Sequence, residues 1–273
     1  MKTGVIGIGN MGRILTEAML DAEAVSPSCL TITNRTLSKA LELKNKYNEI
    51  TVANTSKEVA RQSEIIFLCL KPHDLFDVVR EISPFLTSEK CLVSIASPIS
   101  TSQLESFVSC SVVRAIPSIT NRAMSGVSLI TFGNKCMLKW RTTVERLFQK
   151  ISVPVQIEDK VTRVASDIVS CGPAFFSYLT QRFISAAVKK TEIDQETATT
   201  LASEMLIGLG ALLKNGYYSL PALLEKVCVK GGVTGEGIKV LDAELGDVFE
   251  HLFEATHLKY KEEVEKINRQ YPL

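Results

Sequence analysis

The chain has 273 residues, long enough for a dinucleotide-binding domain plus a second unit. Hydrophobic residues make up 45% and charged residues 22%, a globular balance; the net charge of +1, with no dense basic tract, argues against nucleic acid and membrane as partners. Seven dispersed cysteines without a Cys-x-x-Cys pair point to reduced thiols and a cytoplasmic location, and His73, His251 and His257 make no metal-binding spacing.

The opening MKTGVIGIGNMG reads as a strand and a turn rather than a secretory leader, and no apolar run reaches ~18 residues. TGVIGIG predicts a strand, and NMGRILTEAMLDA a helix with apolar positions Met11, Ile14, Leu15, Ala18 and Met19. CLTITN and ITVA predict further strands, separated by the solvated helix LSKALELKNKY; a short helix follows from Ser56. EIIFLCL is the most apolar run, as a strand covered on both faces requires. KPHD breaks it, LFDVVREISPFL returns to helix, and CLVSIAS and SVVRAIP flank a short helix around Gln103 to Phe107. GVSLITFG, a helix from Met137 to Gln149 and VPVQI complete a doubly wound, mostly parallel α/β pattern whose strand order the sequence leaves open.

GIGNMG places Gly7, Gly9 and Gly12 in a G-x-G-x-x-G spacing after the first strand, with Asn10 and Met11 between the last two. Gly7 permits the turn, Gly9 leaves room for a pyrophosphate, and Gly12 allows close packing of helix on strand. The first helical turn then offers N–H groups to the phosphates. The second strand ends ITNRT, so the usual acidic ribose ligand is missing. Asn34 is neutral, Arg35 can pair with a 2′-phosphate and Thr36 can add a hydroxyl, which favours NADP(H), with NAD(H) as the alternative. Lys71 and Pro72 end the central strand, where open sheets bind ligands; His73 beside them reads better as a helix-start residue than as an acid.

From Asp159 the period becomes helical. DKVTRVASDIVSC predicts one helix, GPAFFSYLTQRFISAAVKKT a second, and DQETATTLASEMLIGLGALLKNG a third, capped by Asp194 and apolar along Leu201, Met205, Gly208, Leu209 and Leu212. SLPALLEKVC adds a short helix and ELGDVFEHLFEATHLKYKEEVEKI a final one. The chain therefore divides at 158 into an N-terminal Rossmann-type α/β domain, 1–158, and an all-helical domain, 159–273, whose apolar faces suit dimerisation. Between the last helices, VCVKGGVTGEG is a second glycine-rich stretch, about 220 residues beyond the first.

With GIGNMG, LKPHD, SIAS, VVRAIPS, SCGPAFF and GGVTGEG in this order, the chain resembles the pyrroline-5-carboxylate reductase family over essentially its full length, and most closely its late competence branch. The resemblance implies a Rossmann-type domain joined to a helical domain that interlocks with a partner's, and NAD(P)H-dependent reduction of 1-pyrroline-5-carboxylate to L-proline. It assigns the cofactor to Gly7, Gly9, Gly12, Asn34, Arg35, Lys71 and Pro72. It matches Pro117 to the proline of the family's Met-Pro-Asn loop, and Gly172 and Pro173 to the Gly-Pro opening a long helix. It places the substrate carboxylate against Gly231, Gly232 and Thr234. No residue is implied as a catalytic acid or base, because positioning of a protonated imine carries the reaction.

The departures lie on the substrate side. Val229, Lys230 and Val233 stand where the family pattern has Ser, Pro and Thr; Ser118 replaces an Asn, Thr120 a Pro and Cys171 a Ser. Two hydroxyl donors are lost, at about 1–3 kcal/mol each if they held the carboxylate; Lys230 can supply charge in return. Two functions fit: a reductase acting on this imine or a close analogue, or a dinucleotide-binding regulatory protein. A β-hydroxyacid dehydrogenase would need a helical lysine as acid, and Lys189 and Lys190 read instead as helix-end charges.

Overall fold

The computed structural model describes residues 1–270. The first part alternates β1 (Thr3–Ile6), α1 (Asn10–Asp21), β2 (Leu30–Thr33), α2 (Leu37–Lys46), β3 (Thr51–Val52), α3 (Ser56–Gln62), β4 (Ile65–Leu68), α4 (Pro72–Ile82), β5 (Cys91–Ser94), α5 (Thr101–Glu105) and β6 (Ser111–Ile116). Then come β7 (Val127–Phe132), α6 (Leu138–Gln149) and β8 (Val153–Gln156). All eight strands form one sheet, in the order β3-β2-β1-β4-β5-β6-β7-β8. Every residue of β1, β2, β4, β5 and β6 is buried. One face carries Leu15, Met19, Trp140 and Phe148 of α1 and α6; the other carries Val59, Leu75, Phe76 and Val79 of α3 and α4.

All strand pairs are parallel except β6–β7. The reason is local: β6 and β7 are joined only by a 3₁₀ turn, Ile119–Ala123, too short for a parallel crossover. Pro154 is tolerated because β8 is the exposed edge. The winding reverses between β1 and β4, so their carboxyl ends open a crevice at that point.

The helical part comprises α7 (Thr162–Ser166), α8 (Gly172–Lys190), α9 (Gln195–Lys214), α10 (Leu220–Val227), α11 (Val233–Leu245) and α12 (Val248–Gln270). Asp194 caps α9, accepting from the Thr197 N–H at 2.9 Å. Three expectations need correction. The single helix expected across Asp159–Cys171 is a 3₁₀ turn, α7 and a π-helical turn, Asp167–Cys171, that runs straight into α8. Pro173 lacks an N–H, and the Val169 carbonyl four residues earlier accepts instead from the Ser118 hydroxyl at 2.8 Å. The final helix starts at Val248 rather than Glu244: Glu244 and Leu245 close a separate, unforeseen helix α11, and Gly246 divides the two with a φ of 46° that a side chain would disfavour. The second glycine-rich stretch is only partly a loop, since α11 starts at Val233 and takes in Thr234, Gly235 and Gly237.

By packing, the chain separates into Met1–Pro173 together with the segment from Ala255, and Ala174–Glu254. The period changes at 158, but residues just beyond it are held to the sheet unit: Arg114 of β6 donates to Asp159 and to the Thr162 hydroxyl. In the second unit the buried cluster is small, with Ile184, Ala198 and Ala202 at its centre. Phe183 of α8 and Leu201 and Met205 of α9 remain 67%, 59% and 50% exposed, so large apolar side chains of both helices stay uncovered among the described residues. Among the described residues, no helix is long and apolar enough to cross a membrane.

Candidate functional site

The first βα turn gives each fingerprint glycine a separate reason. Gly7 has φ +102°, and a Cβ there would lie 2.4 Å from the Cys69 carbonyl oxygen. A Cβ on Gly12 would lie 2.0 Å from the Gly7 carbonyl oxygen. Gly9 is different: a Cβ would meet nothing within 4 Å, so its hydrogen leaves open approach rather than internal room. Gly9 is the N-cap of α1 and no side chain caps that helix. Asn10 and Met11 occupy its first turn, exposed and half-buried respectively. An exposed helix start of this kind fits a pyrophosphate.

Asn34 ties the first two βα turns together. Its Oδ1 accepts from the Ile8 N–H at 2.8 Å and its Nδ2 donates to the Thr36 carbonyl at 2.9 Å. Arg35 beside it is 88% exposed. Lys71 is the N-cap residue of α4 and is exposed, while Pro72 occupies the first helical position, where a missing N–H costs nothing. A cleft of ≈ 730 Å³ brings together Gly7, Gly9, Asn34, Arg35, Thr36 and Lys71 at the β1–β4 crevice. Asn10, Met11, Gly12 and Pro72 belong to its supporting turns. Cys69 also lines the cleft; burial pushes its thiol pKa up to about 12, so it remains protonated and is no nucleophile. His73 lies on the first turn of α4, with Nε2 3.6 Å from an Asp74 oxygen. Lys189 and Lys190 are exposed in the last turn of α8.

In the second unit, Gly231 has φ +77° and turns the chain into α11. The Gly232 N–H donates to the Val229 carbonyl at 2.9 Å, and a Cβ on Gly232 would crowd the Val229 side chain at 2.9 Å. Gly232 is the N-cap, again with no side-chain cap, and Thr234 lies half-buried in the first turn. Lys230 is exposed. Val229 and Val233 are 65% and 90% exposed, so neither branched side chain is part of a buried core.

Sequence reasoning missed a buried polar network in the first unit. Arg114 interrupts an apolar strand, which was its one visible signal; its guanidinium donates to the Ser97 carbonyl, Thr131, Asp159 and Thr162. Arg163 and Asp167, four residues apart, form a two-point pair at 3.1 and 2.7 Å. The Asp167 side chain is fully buried and also accepts from the Thr256 hydroxyl at 2.8 Å, with His257 Nε2 at 3.6 Å. Tyr260 donates to the Ser97 carbonyl at 3.1 Å, and its ring lies 5.4 Å from the Arg163 guanidinium. Burial raises the Tyr260 pKa. A second hollow of ≈ 320 Å³ is lined by Arg163, Asp167, Cys171, Thr256, Lys259 and Tyr260, among others. The Cys171 thiol in it is shifted up by burial, against the lowering that a helix start would give. Among the described residues, no group of three His, Cys, Asp or Glu side chains could hold a metal ion.

The sheet order, the glycine turn and the open start of α1 define a Rossmann-type dinucleotide-binding fold carrying a helical C-terminal region. Residues 2–98 match the family model described as NADP oxidoreductase coenzyme F420-dependent, and residues 159–263 match that for pyrroline-5-carboxylate reductase dimerisation. The chain is similar to ComE operon protein 4 of Bacillus subtilis (strain 168), 51% identical over 271 residues and 99% of each chain. It is also similar to pyrroline-5-carboxylate reductase 3 of the same organism, 28% identical over 270 residues, 98% of this chain and 99% of the other. Among solved structures, pyrroline carboxylate reductase of Plasmodium falciparum with NADP bound shares the fold, with TM-score 0.81, 22% identity and 98% of each chain covered. The chain belongs to the pyrroline-5-carboxylate reductase family.

Proposed function

We propose that this chain is a cytoplasmic NADPH-dependent reductase of a cyclic imine, 1-pyrroline-5-carboxylate or a close analogue. The observation that carries the reading is the turn at Gly231: it presents an uncapped helix start, the chemistry that receives a carboxylate, in a chain that aligns end to end with a pyrroline-5-carboxylate reductase. NADPH, when bound, supplies the hydride. Gly7, Gly9, Asn10, Met11 and Gly12 shape the surface for its pyrophosphate, Asn34 and Arg35 face the 2′-phosphate, and Lys71 and Pro72 border the cleft. Gly231, Gly232 and Thr234 hold the substrate carboxylate, with the Lys230 charge beside them. No side chain is assigned a proton transfer, because the imine reacts as its protonated form and needs orientation above all.

If the carboxylate lies at this turn, restoring two hydroxyls should strengthen its hold. The double change Val229→Ser and Val233→Thr is expected to raise kcat/KM for 1-pyrroline-5-carboxylate about tenfold, mainly through KM. An unchanged kcat/KM would remove the carboxylate from this turn.

The exposed apolar faces of α8 and α9, together with the dimerisation match, support a homodimer through the C-terminal helices, with larger rings open to it. Light scattering at micromolar concentration should give at least twice the mass of one chain; a single-chain mass would contradict the dimer. A second reading, a dinucleotide-binding regulatory protein of the late competence type, is favoured by the 51% identity to ComE operon protein 4 and by the two valines at the turn.

A further inference from the structure

An acidic residue at position 34 or 35 would repel a 2′-phosphate, and the sequence has none there. The fold brings one in from elsewhere. Asp74, on the first turn of α4, lies 3.7 Å from the Arg35 guanidinium, with His73 Nε2 on its other oxygen at 3.6 Å. Asp77 and Glu81 of the same helix also line the cleft. They follow at helical spacing, so α4 presents an acidic wall opposite Arg35 and Lys39. Three basic and three acidic side chains line the cleft, which leaves it without net charge.

We propose that Asp74 is a specificity residue of the cofactor cleft. It pairs with Arg35 and sets its carboxylate against an incoming 2′-phosphate, so the preference for NADPH over NADH is governed by the Arg35–Asp74 pair and not by Arg35 alone. The inference rests on the cofactor assignment above and deepens it. The phosphate must take Arg35 from an existing partner and approach a like charge, whereas the free 2′-hydroxyl of NADH meets neither cost. Both side chains reach solvent, with Arg35 88% and Asp74 34% exposed, so screening keeps the effect modest.

The test is the Kd of NADPH and of NADH, read from their fluorescence, for the full chain and for Asp74→Asn, Arg35→Ala and the double variant. Asp74→Asn is expected to tighten NADPH about threefold and to move NADH by less than about 1.5-fold. In the Arg35→Ala background the gain should shrink, since the pair is then already broken. Asp74→Ser provides the same comparison if the amide variant fails to fold. Equal tightening of both nucleotides, weaker NADPH binding, or a full gain without Arg35 would overturn the proposal while leaving the cofactor assignment intact. Binding of neither nucleotide to the unaltered chain would overturn both.

Discussion

Gly12→Ala is expected to lower stability by about 1–3 kcal/mol and to weaken NADPH binding at least about tenfold. The new Cβ would stand 2.0 Å from the Gly7 carbonyl oxygen and 2.9 Å from the Cys69 Cβ. One neighbour is backbone and the other belongs to a packed strand end, so neither can swing aside as a flexible side chain would. The first turn of α1 must move instead, and its N–H groups lose their aim. Gly9→Ala separates the two effects. Nothing lies within 4 Å of a Cβ there, so stability should hold while NADPH binding falls, because the methyl occupies the approach to the helix start. Urea unfolding and NADPH titration on both variants check this. A Gly12→Ala protein as stable as the unaltered chain would contradict the packing.

Removing the Asp167 carboxylate should be the most damaging single change outside the cleft. Asp167→Ala is expected to cost about 3 kcal/mol, because it leaves the Arg163 guanidinium without its two-point partner in a largely buried site. The figure stands at the lower end for broken buried pairs, since Arg163 is 18% exposed and the neighbouring hollow admits water. Replacing both members, Arg163→Met with Asp167→Leu, should recover much of the loss, as an apolar pair has no charge to strand. The comparison is made by urea unfolding at one fixed chain concentration, because the proposed dimer would make stability depend on it. An Asp167→Ala protein that unfolds with the unaltered chain would show that the pair contributes nothing.

What could be read from the sequence was whatever a local rule dictates. The glycines at 7, 9 and 12 are required by one turn, and Asp194 by the helix it caps; each reason is contained within a few residues. Strand order is a long-range property, so it stayed open, and β7 turned out antiparallel because of the short connection before it. The π-helical turn at Asp167–Cys171 was missed because its support comes from a distance, through the Ser118 hydroxyl on Val169. Ser118 had counted only as a departure from the family pattern. Thr234, matched through the resemblance to a substrate position, lies in the first turn of α11, a helix that glycines on both sides had hidden. Asp74 carried no signal in the sequence, because its pairing with Arg35 exists only once β1, β2 and β4 lie side by side.

The most direct test is NADPH oxidation by the purified chain with 1-pyrroline-5-carboxylate, run beside NADH. Turnover is expected within the ordinary enzymatic range, roughly 1–1000 per second, faster with NADPH than with NADH. NADPH binding without turnover of this imine or its close analogues would contradict the reductase assignment and leave the regulatory reading in its place.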